Sequence, residues 1–354
     1  MLSVGLVGLP NAGKSTLFNL LTKRSVPAEN FPFCTIDPNV GIVEVFDERI
    51  KNLARLVNAK KEIYAAIEFK DIAGLVKGAS TGAGLGNKFL SHIRECDMIL
   101  MVVRCFQHGD VIHVENRVNP SEDDEILMIE LTMSDTVLVE KLITKLEKDA
   151  KTGKEKFVDQ KMIILESILQ KLNKIEPAIS FEIDKSFDPE TIKWRKSLNL
   201  LTDKPILRLG NIIEGAVHGT NLEYSSDIKM DIALEASVVD LTADERKEME
   251  LEEISGLTKM IQKCFETLDM SVYLTAGEIE ARAWPFKNGL NAKECAGVIH
   301  SDFTDKFIKA EIIKYTDFIT LGNRKNAIEK GKVSMEGKEY LMQDGDVVEF
   351  KIGN

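Results

Sequence analysis

The chain has 354 residues, 57 acidic against 46 basic side chains and a formal net charge of -11. That length exceeds what one hydrophobic core usually organises, so two or three domains are expected. The acidic balance excludes a protein that coats nucleic acid over its whole surface, though it allows one local basic face. Five cysteines, Cys34, Cys96, Cys105, Cys264 and Cys295, form no C-x-x-C pair, which argues against a zinc site or a disulfide framework and for reduced thiols. The longest apolar run, Met98 to Val103, is too short to span a bilayer. A strand begins at once and leaves no room for a signal peptide, so a soluble, cytoplasmic protein with no membrane partner is expected.

The first predicted strand is Leu2 to Val7, and Leu17 to Leu21 begins a helical pattern. Between them lies Gly8-Leu9-Pro10-Asn11-Ala12-Gly13-Lys14-Ser15-Thr16, a complete G-x-x-x-x-G-K-[ST] phosphate loop in its strand–loop–helix setting. Gly8 and Gly13 permit the backbone angles that let successive N–H groups, through Asn11, Ala12 and Thr16, converge on phosphate oxygens. Lys14 supplies a point charge to the β- and γ-phosphates, the Ser15 hydroxyl can ligate Mg²⁺, and the helix that follows turns its positive end toward the anion. A glycine turn that merely closes a strand onto a helix would leave Lys14 and Ser15 side by side without a reason. The chain is expected to bind a nucleotide.

Thr35, in Phe31-Pro32-Phe33-Cys34-Thr35, is a second hydroxyl in a loop that can close over Mg²⁺; the alternative is a solvent-facing threonine. The next strand candidate, Ile67 to Asp71, runs into Asp71-Ile72-Ala73-Gly74. A carboxylate at Asp71 can hold a Mg²⁺-bound water, and Gly74 lets a backbone N–H approach the γ-phosphate. The glycine-rich run Gly78 to Gly86 offers a second switch, and Met98 to Arg104 a further strand.

After about Asn119 the texture changes. Ser121 precedes four acids, an N-terminal helix signal, and Leu131, Leu138, Leu142 and Leu146 follow at helical spacing. A polar break at Thr152-Gly153-Lys154 leads to Met162, Leu165, Leu169, Leu172 and Ile175. This pattern predicts an antiparallel helical hairpin. Between Lys141 and Lys174 it carries nine lysines against five acids, about +4 in a chain of -11, which can attract a phosphate backbone or simply be a solvated face. The α/β pattern resumes at Pro205 to Leu209 and at Met230 to Leu234, so the hairpin is an insertion. An acidic helical segment, Asp244 to Glu253, comes next. The last part, from about Ser271, has short alternating runs such as Val272 to Leu274 and Val347 to Ile352, which reads as a small α+β module.

These segments resemble the P-loop GTPase class and, within it, the Obg-like, YchF-type ATPases. The resemblance rests on Gly8–Thr16, Asn30–Thr35, Asp71–Ala79, Gly84–Asn87, Val103–Phe106 and Arg282-Ala283-Trp284, and it covers nearly the whole chain. It implies an α/β P-loop NTPase with a Ras-like G domain over residues 1–119 and 200–270. It also implies a helical hairpin inserted at 120–199 and a ubiquitin-like TGS domain at 271–354. ATP, Mg²⁺ and the ribosome with its RNA are the implied ligands and partners; no DNA is expected.

Two departures from ordinary GTPases stand out. A guanine site of this class ends a strand with Asn-Lys-x-Asp; here the segment is Asn211-Ile212-Ile213-Glu214. Losing the lysine and the short carboxylate relaxes the discrimination for guanine, and the resemblance implies a preference for ATP, with Asn211 able to offer its amide oxygen to the adenine amine. Asn211 and Glu214 could alternatively just cap the strand end. Second, Leu75 stands where Ras-like enzymes carry the glutamine that orients the attacking water. Asn11 resembles the asparagine that, in potassium-activated relatives, helps place a monovalent cation such as K⁺ near the phosphates; otherwise it is a turn residue. His113, in Val111-Ile112-His113-Val114, is either structural or a general acid–base. The reading is an ATPase switch on the ribosome; its alternatives are a nucleotide-gated ribosome-binding module and an atypical GTPase.

Overall fold

The computed structural model describes residues 2–25, 39–72, 85–107, 118–153, 155–213, 224–252 and 254–353. Its first sheet holds β1 Ser3–Val7, β2 Val40–Val45, β4 Ala65–Asp71, β5 Met98–Arg104, β6 Ile206–Asn211 and β7 Ile228–Met230. The strand order is β2-β4-β1-β5-β6-β7. Every pairing is parallel except β2 with β4. β1 and β5 are buried at every position, which explains their unbroken apolar runs in place of alternation. Parallel pairing sends the carboxyl ends of β1, β4, β5, β6 and β7 to one edge, where open α/β sheets take their ligands.

Helix α1, Lys14–Lys23, packs on one face of this sheet, and α2, Glu48–Val57, whose N-cap Asp47 accepts from the Arg49 amide, packs against a second sheet. α3, Leu85–Arg94, lies before β5. The inserted hairpin begins with α4, Pro120–Lys151, capped by Asn119, with acids in its first turn and lysines in its last. Leu127 and Leu131 bury against the sheet, whereas Val139 and Leu146 pack with Ile164, Leu165, Ile168 and Leu172 of α5, Val158–Leu172. The hairpin therefore shares one long helix with the α/β core, and α6, Pro189–Ser197, follows it before the chain returns to β6. The base of the hairpin is fixed by Asp135, wholly buried, which accepts from the Leu201 and Thr202 amides and the Thr202 hydroxyl and pairs with Arg94 at 2.9 Å.

The second sheet contains β3 Glu62–Ile63, β8 Met270–Ala276, β9 Ala281–Lys287, β10 Phe307–Lys314, β11 Ser334–Glu336 and β12 Asp346–Ile352, in the order β11-β10-β12-β8-β9-β3. The hairpin β8–β9, the helix Ala292–Ile299 over it and a final strand parallel to β8 make this end of the chain a small α+β module. β3 comes from within the first 119 residues yet pairs with β9, and Leu53, Phe69, Leu274, Ala283 and Val347 share one hydrophobic core.

Two local expectations change. Met230 to Leu234 is not one strand: β7 ends at Met230, and Asp231, accepting from the Leu234 amide, caps a short helix, α7, Ile232–Ser237. The acidic helix is also shorter than its run of charge: α8, Ala243–Glu248, stops before Glu250, whose φ of 58° is left-handed. Among the described residues no helix is long and apolar enough to cross a membrane, and Cys96, Cys105, Cys264 and Cys295 are buried free thiols.

Candidate functional site

The loop after β1 is shaped by contacts that only glycine allows at two points. A Cβ on Gly8 would lie 2.4 Å from the Val102 carbonyl oxygen. Gly13 has φ 106°, and a Cβ there would lie 2.4 Å from Asn211 Nδ2. Gly13 is also the N-cap of α1, with no side-chain cap and no acid in the first turn, so the positive end of that helix is open toward the cavity. Asn11 has φ 63°, a conformation asparagine tolerates, which agrees with its turn reading.

Lys14 is buried, and its Nζ donates to the Gly8 and Leu9 carbonyls at 2.8 Å each. Burial lowers its pKa to about 8, with the nearby Asp71 carboxylate working in the opposite direction. Burial likewise pushes the Asp71 carboxyl above the ordinary range, opposed by Lys14. Ser15 and Thr16 are exposed. Among the described residues no three His, Cys, Asp or Glu side chains cluster as a metal site. The donors here, a serine hydroxyl and one carboxylate near a phosphate loop, instead fit Mg²⁺, which takes few protein ligands and completes its shell with phosphate and water.

A cavity of about 460 Å³ joins Asn11, Gly13, Lys14, Ser15 and Thr16 to Phe106, Asn211, Ile212, Ile213 and Asp231–Ala233. The structure thus brings the phosphate loop and the segment expected to face the base around one space. Asn211 makes contacts there that its sequence position does not disclose. It is buried, its Nδ2 donates to the Ala12 carbonyl at 2.9 Å, and its Oδ1 accepts from the Ile232 amide at 3.4 Å. The side chain is a staple between phosphate loop and α7.

Sequence reasoning places Phe106 in a family-like segment but gives it no part of its own. Phe106 follows β5 and is braced by Arg104, whose guanidinium sits 4.6 Å from the ring centroid and whose Nε donates to the Phe106 carbonyl at 3.1 Å. The signal was present: an arginine in a strand buried along its whole length needs local partners, and the aromatic two residues on provides one. Thr35, Gly74, Leu75, His113 and Glu214 lie outside the described residues, as does most of the run from Gly78 to Gly86.

The lysine-rich hairpin is less uniformly available than a residue count implies. Lys141, Lys145, Lys148 and Lys151 of α4 are exposed. Lys161 is buried, pairs with Glu155 and lies 5.2 Å from the Trp194 ring centroid, and Lys171 pairs with Glu176. Lys154 is outside the described residues.

Comparison with known proteins agrees with this architecture from end to end. Residues 3–163 match the family described as 50S ribosome-binding GTPase, and residues 270–353 match the YchF-GTPase C-terminal family, described as a protein of unknown function. The chain is 46% identical over 367 residues to the ribosome-binding ATPase YchF of Bacillus subtilis, covering 99% of each. It is 40% identical over 360 residues to the protein of that name from Escherichia coli O157:H7, covering 98% of each. The solved structure of the Schizosaccharomyces pombe YchF GTPase superposes with a TM-score of 0.83 at 34% identity, covering 99% of this chain and 97% of that one. Phosphate loop, parallel sheet, helical insertion and C-terminal module occur together in one chain that such relatives match over nearly their full length: this protein belongs to the YchF family.

Proposed function

We propose that the protein is a Mg²⁺-dependent, ATP-binding and ATP-hydrolysing switch that works on the ribosome in the cytoplasm. One observation carries the reading: a single cavity runs from the Lys14–Thr16 phosphate loop to a base end walled by Phe106, Ile212 and Ile213, with Ile212 standing where a guanine site carries its lysine. In this reading the nucleotide domain takes in residues 1–119 and 200–270, the inserted hairpin 120–199 and the C-terminal module 271–354.

Lys14 exchanges two loop carbonyls for β- and γ-phosphate oxygens when nucleotide enters. Ser15 and Thr35 would ligate Mg²⁺ and Asp71 would hold one of its waters; the ion supplies positive charge against the phosphates. Amides from Asn11 to Thr16, with Gly74, cradle the phosphate oxygens. Leu75 cannot orient water, so charge for the transition state must come from elsewhere. A K⁺ ion beside Asn11 or a contact from the ribosome would provide it, and His113 is the candidate acid–base. At the base, Phe106 and Ile212 offer apolar faces, and Glu214 replaces the short guanine-reading carboxylate.

The names of the bacterial relatives support the ribosome as partner. The exposed Lys141, Lys145, Lys148 and Lys151 of α4 support a contact with ribosomal RNA. The Schizosaccharomyces pombe relative is named a GTPase, which keeps an atypical GTPase as the second reading. Calorimetry of the full chain with Mg·ATP and Mg·GTP decides between them. ATP is expected to bind at least several-fold tighter, and Lys14→Ala to abolish binding of both. Equal or tighter GTP binding refutes the base reading; undiminished ATP binding by Lys14→Ala refutes the site.

A further inference from the structure

Behind the base end of the cavity lies a buried ion pair that touches neither phosphate loop nor base. Arg246 of α8 is 5% exposed. Its Nη2 donates to Glu235 Oε1 at 3.3 Å and its Nε to the Glu252 carbonyl at 2.9 Å, while its buried Nη1 has no hydrogen-bond partner among the described residues. The same Glu235 oxygen accepts from the Gly256 amide at 2.7 Å. A Cβ on Gly256 would come within 3.0 Å of that oxygen and 3.1 Å of Met230, so this close approach depends on glycine.

Glu235 belongs to α7, one turn beyond Asp231 and Ile232. Those two residues wall the nucleotide cavity, and the Ile232 amide donates to Asn211, which in turn holds the Ala12 carbonyl. α7 has only six residues, too few to hold a position by its own hydrogen bonds. On its far side is a second cavity of about 260 Å³ whose lining includes Ile212, Asp231, Glu235 and Arg246. Ile212 and Asp231 line both cavities and so form the partition between them. A partition that the described residues back with a cavity has room to shift, and the Glu235 carboxylate, held by Arg246 and the Gly256 amide, is placed to fix it.

We propose that the Glu235–Arg246 pair is a positioning device for the base-side wall, setting affinity for the adenine base and its selection over guanine without acting on the phosphates. The proposal rests on the ATP reading above. The phosphate end has independent support: the Ala12 amide donates to Leu9, the Leu17 amide to Gly13, and Lys14 to two loop carbonyls. Loosening α7 therefore weakens contacts to the base more than contacts to the phosphates.

The test uses the full chain as wild type, Glu235→Gln and Arg246→Met, with Mg²⁺ and three probes: ATP, GTP and inorganic tripolyphosphate. Glu235→Gln keeps an acceptor for Gly256 and removes only the charge, so it decides the matter should Arg246→Met fail to show a cooperative melt. The expected result is an ATP affinity weaker by about five- to tenfold, a coupling of ordinary size, an ATP-to-GTP ratio that shrinks toward one, and unchanged tripolyphosphate affinity. Equal weakening of ATP and tripolyphosphate, or unchanged ATP affinity in a folded variant, overturns the proposal while leaving the ATP reading intact. A wild-type chain that binds tripolyphosphate but shows no preference for ATP refutes the base reading, and the proposal with it.

Discussion

Lys14 gives nucleotide binding a pH dependence whose size follows from its burial. In the free protein its pKa is lowered to about 8, chiefly because the ammonium is desolvated. Phosphate oxygens arriving beside it stabilise the charged form and return the pKa toward the ordinary lysine range. Binding above pH 8 must therefore be accompanied by proton uptake. Lys14 is about nine-tenths protonated at pH 7 and about one-tenth at pH 9, so ATP affinity should fall about tenfold between them, or about 1.4 kcal/mol. The free protein responds in the opposite sense. A folded pKa of about 8 against 10.5 for the ordinary lysine means that folding releases a proton between these values. This group's destabilising effect, of about 3 kcal/mol, is complete below pH 8 and is relieved as the pH rises through 10.5. The assay is titration calorimetry at pH 7, 8 and 9 in two buffers of different ionisation enthalpy. Uptake of about 0.9 proton per ATP at pH 9 is expected. An affinity flat across this range, with a heat independent of buffer, would refute the assignment of Lys14 as the buried phosphate-facing cation.

Three further outcomes can be measured. Rebuilding Asn-Lys-x-Asp by Ile212→Lys with Glu214→Asp should move affinity toward GTP by competition binding, because a fixed carboxylate again meets two guanine donors; an unchanged ratio counts against the base assignment. Leu75→Gln should bring no large gain in phosphate release, since the surrounding loop is not shaped to aim a glutamine, whereas basal turnover should rise with K⁺ and with ribosomes; indifference to both with a fast Leu75→Gln enzyme reverses that mechanism. Asp135→Ala leaves Arg94 and the Leu201 and Thr202 amides without their buried acceptor. A loss of about 3–5 kcal/mol in urea unfolding is expected, and a loss below about 1 kcal/mol would show that water replaces the carboxylate.

The phosphate loop was legible because its chemistry is local: glycines, lysine and hydroxyl stand within nine residues, between an apolar strand and a helix. The long α4 helix and the buried strands β1 and β5 were legible for a similar reason, since each carries its period or its apolar run within itself. Asn211 was legible by position but its contacts were not, because its partners, Ala12 and Ile232, are distant in sequence and a side-chain amide carries no mark of which carbonyl it will meet. The strand-to-helix change at Asp231 was hidden by a short run, Met230 to Leu234, that is apolar in either state. β3 could not be seen at all. Two residues carry no period, and Glu62–Ile63 becomes a strand only because β9 lies beside it.

That short strand bears on how the two sheets belong together. The segment from Val40 to Asp71 begins shortly after Thr35 in the sequence and ends on the Asp71 carboxylate, so it connects two residues proposed for the Mg²⁺ side of the site. Along the way it supplies two strands to the first sheet, β2 and β4, and one to the second, β3. Its helix α2 packs against the second sheet, and Arg49 at the start of that helix bridges Asp47 to Asp344 at 2.7 Å each, while Asn52 donates to the Tyr315 hydroxyl at 3.1 Å. Asp344 in turn accepts from the Val272 amide at the start of β8. A connector shared in this way, with apolar residues from both sheets in one core, joins the C-terminal module to the first sheet through packed apolar contacts among the described residues. The second sheet is therefore mechanically continuous with the strands that present Asp71, and whatever moves β2 or β4 moves against the resistance of both sheets at once.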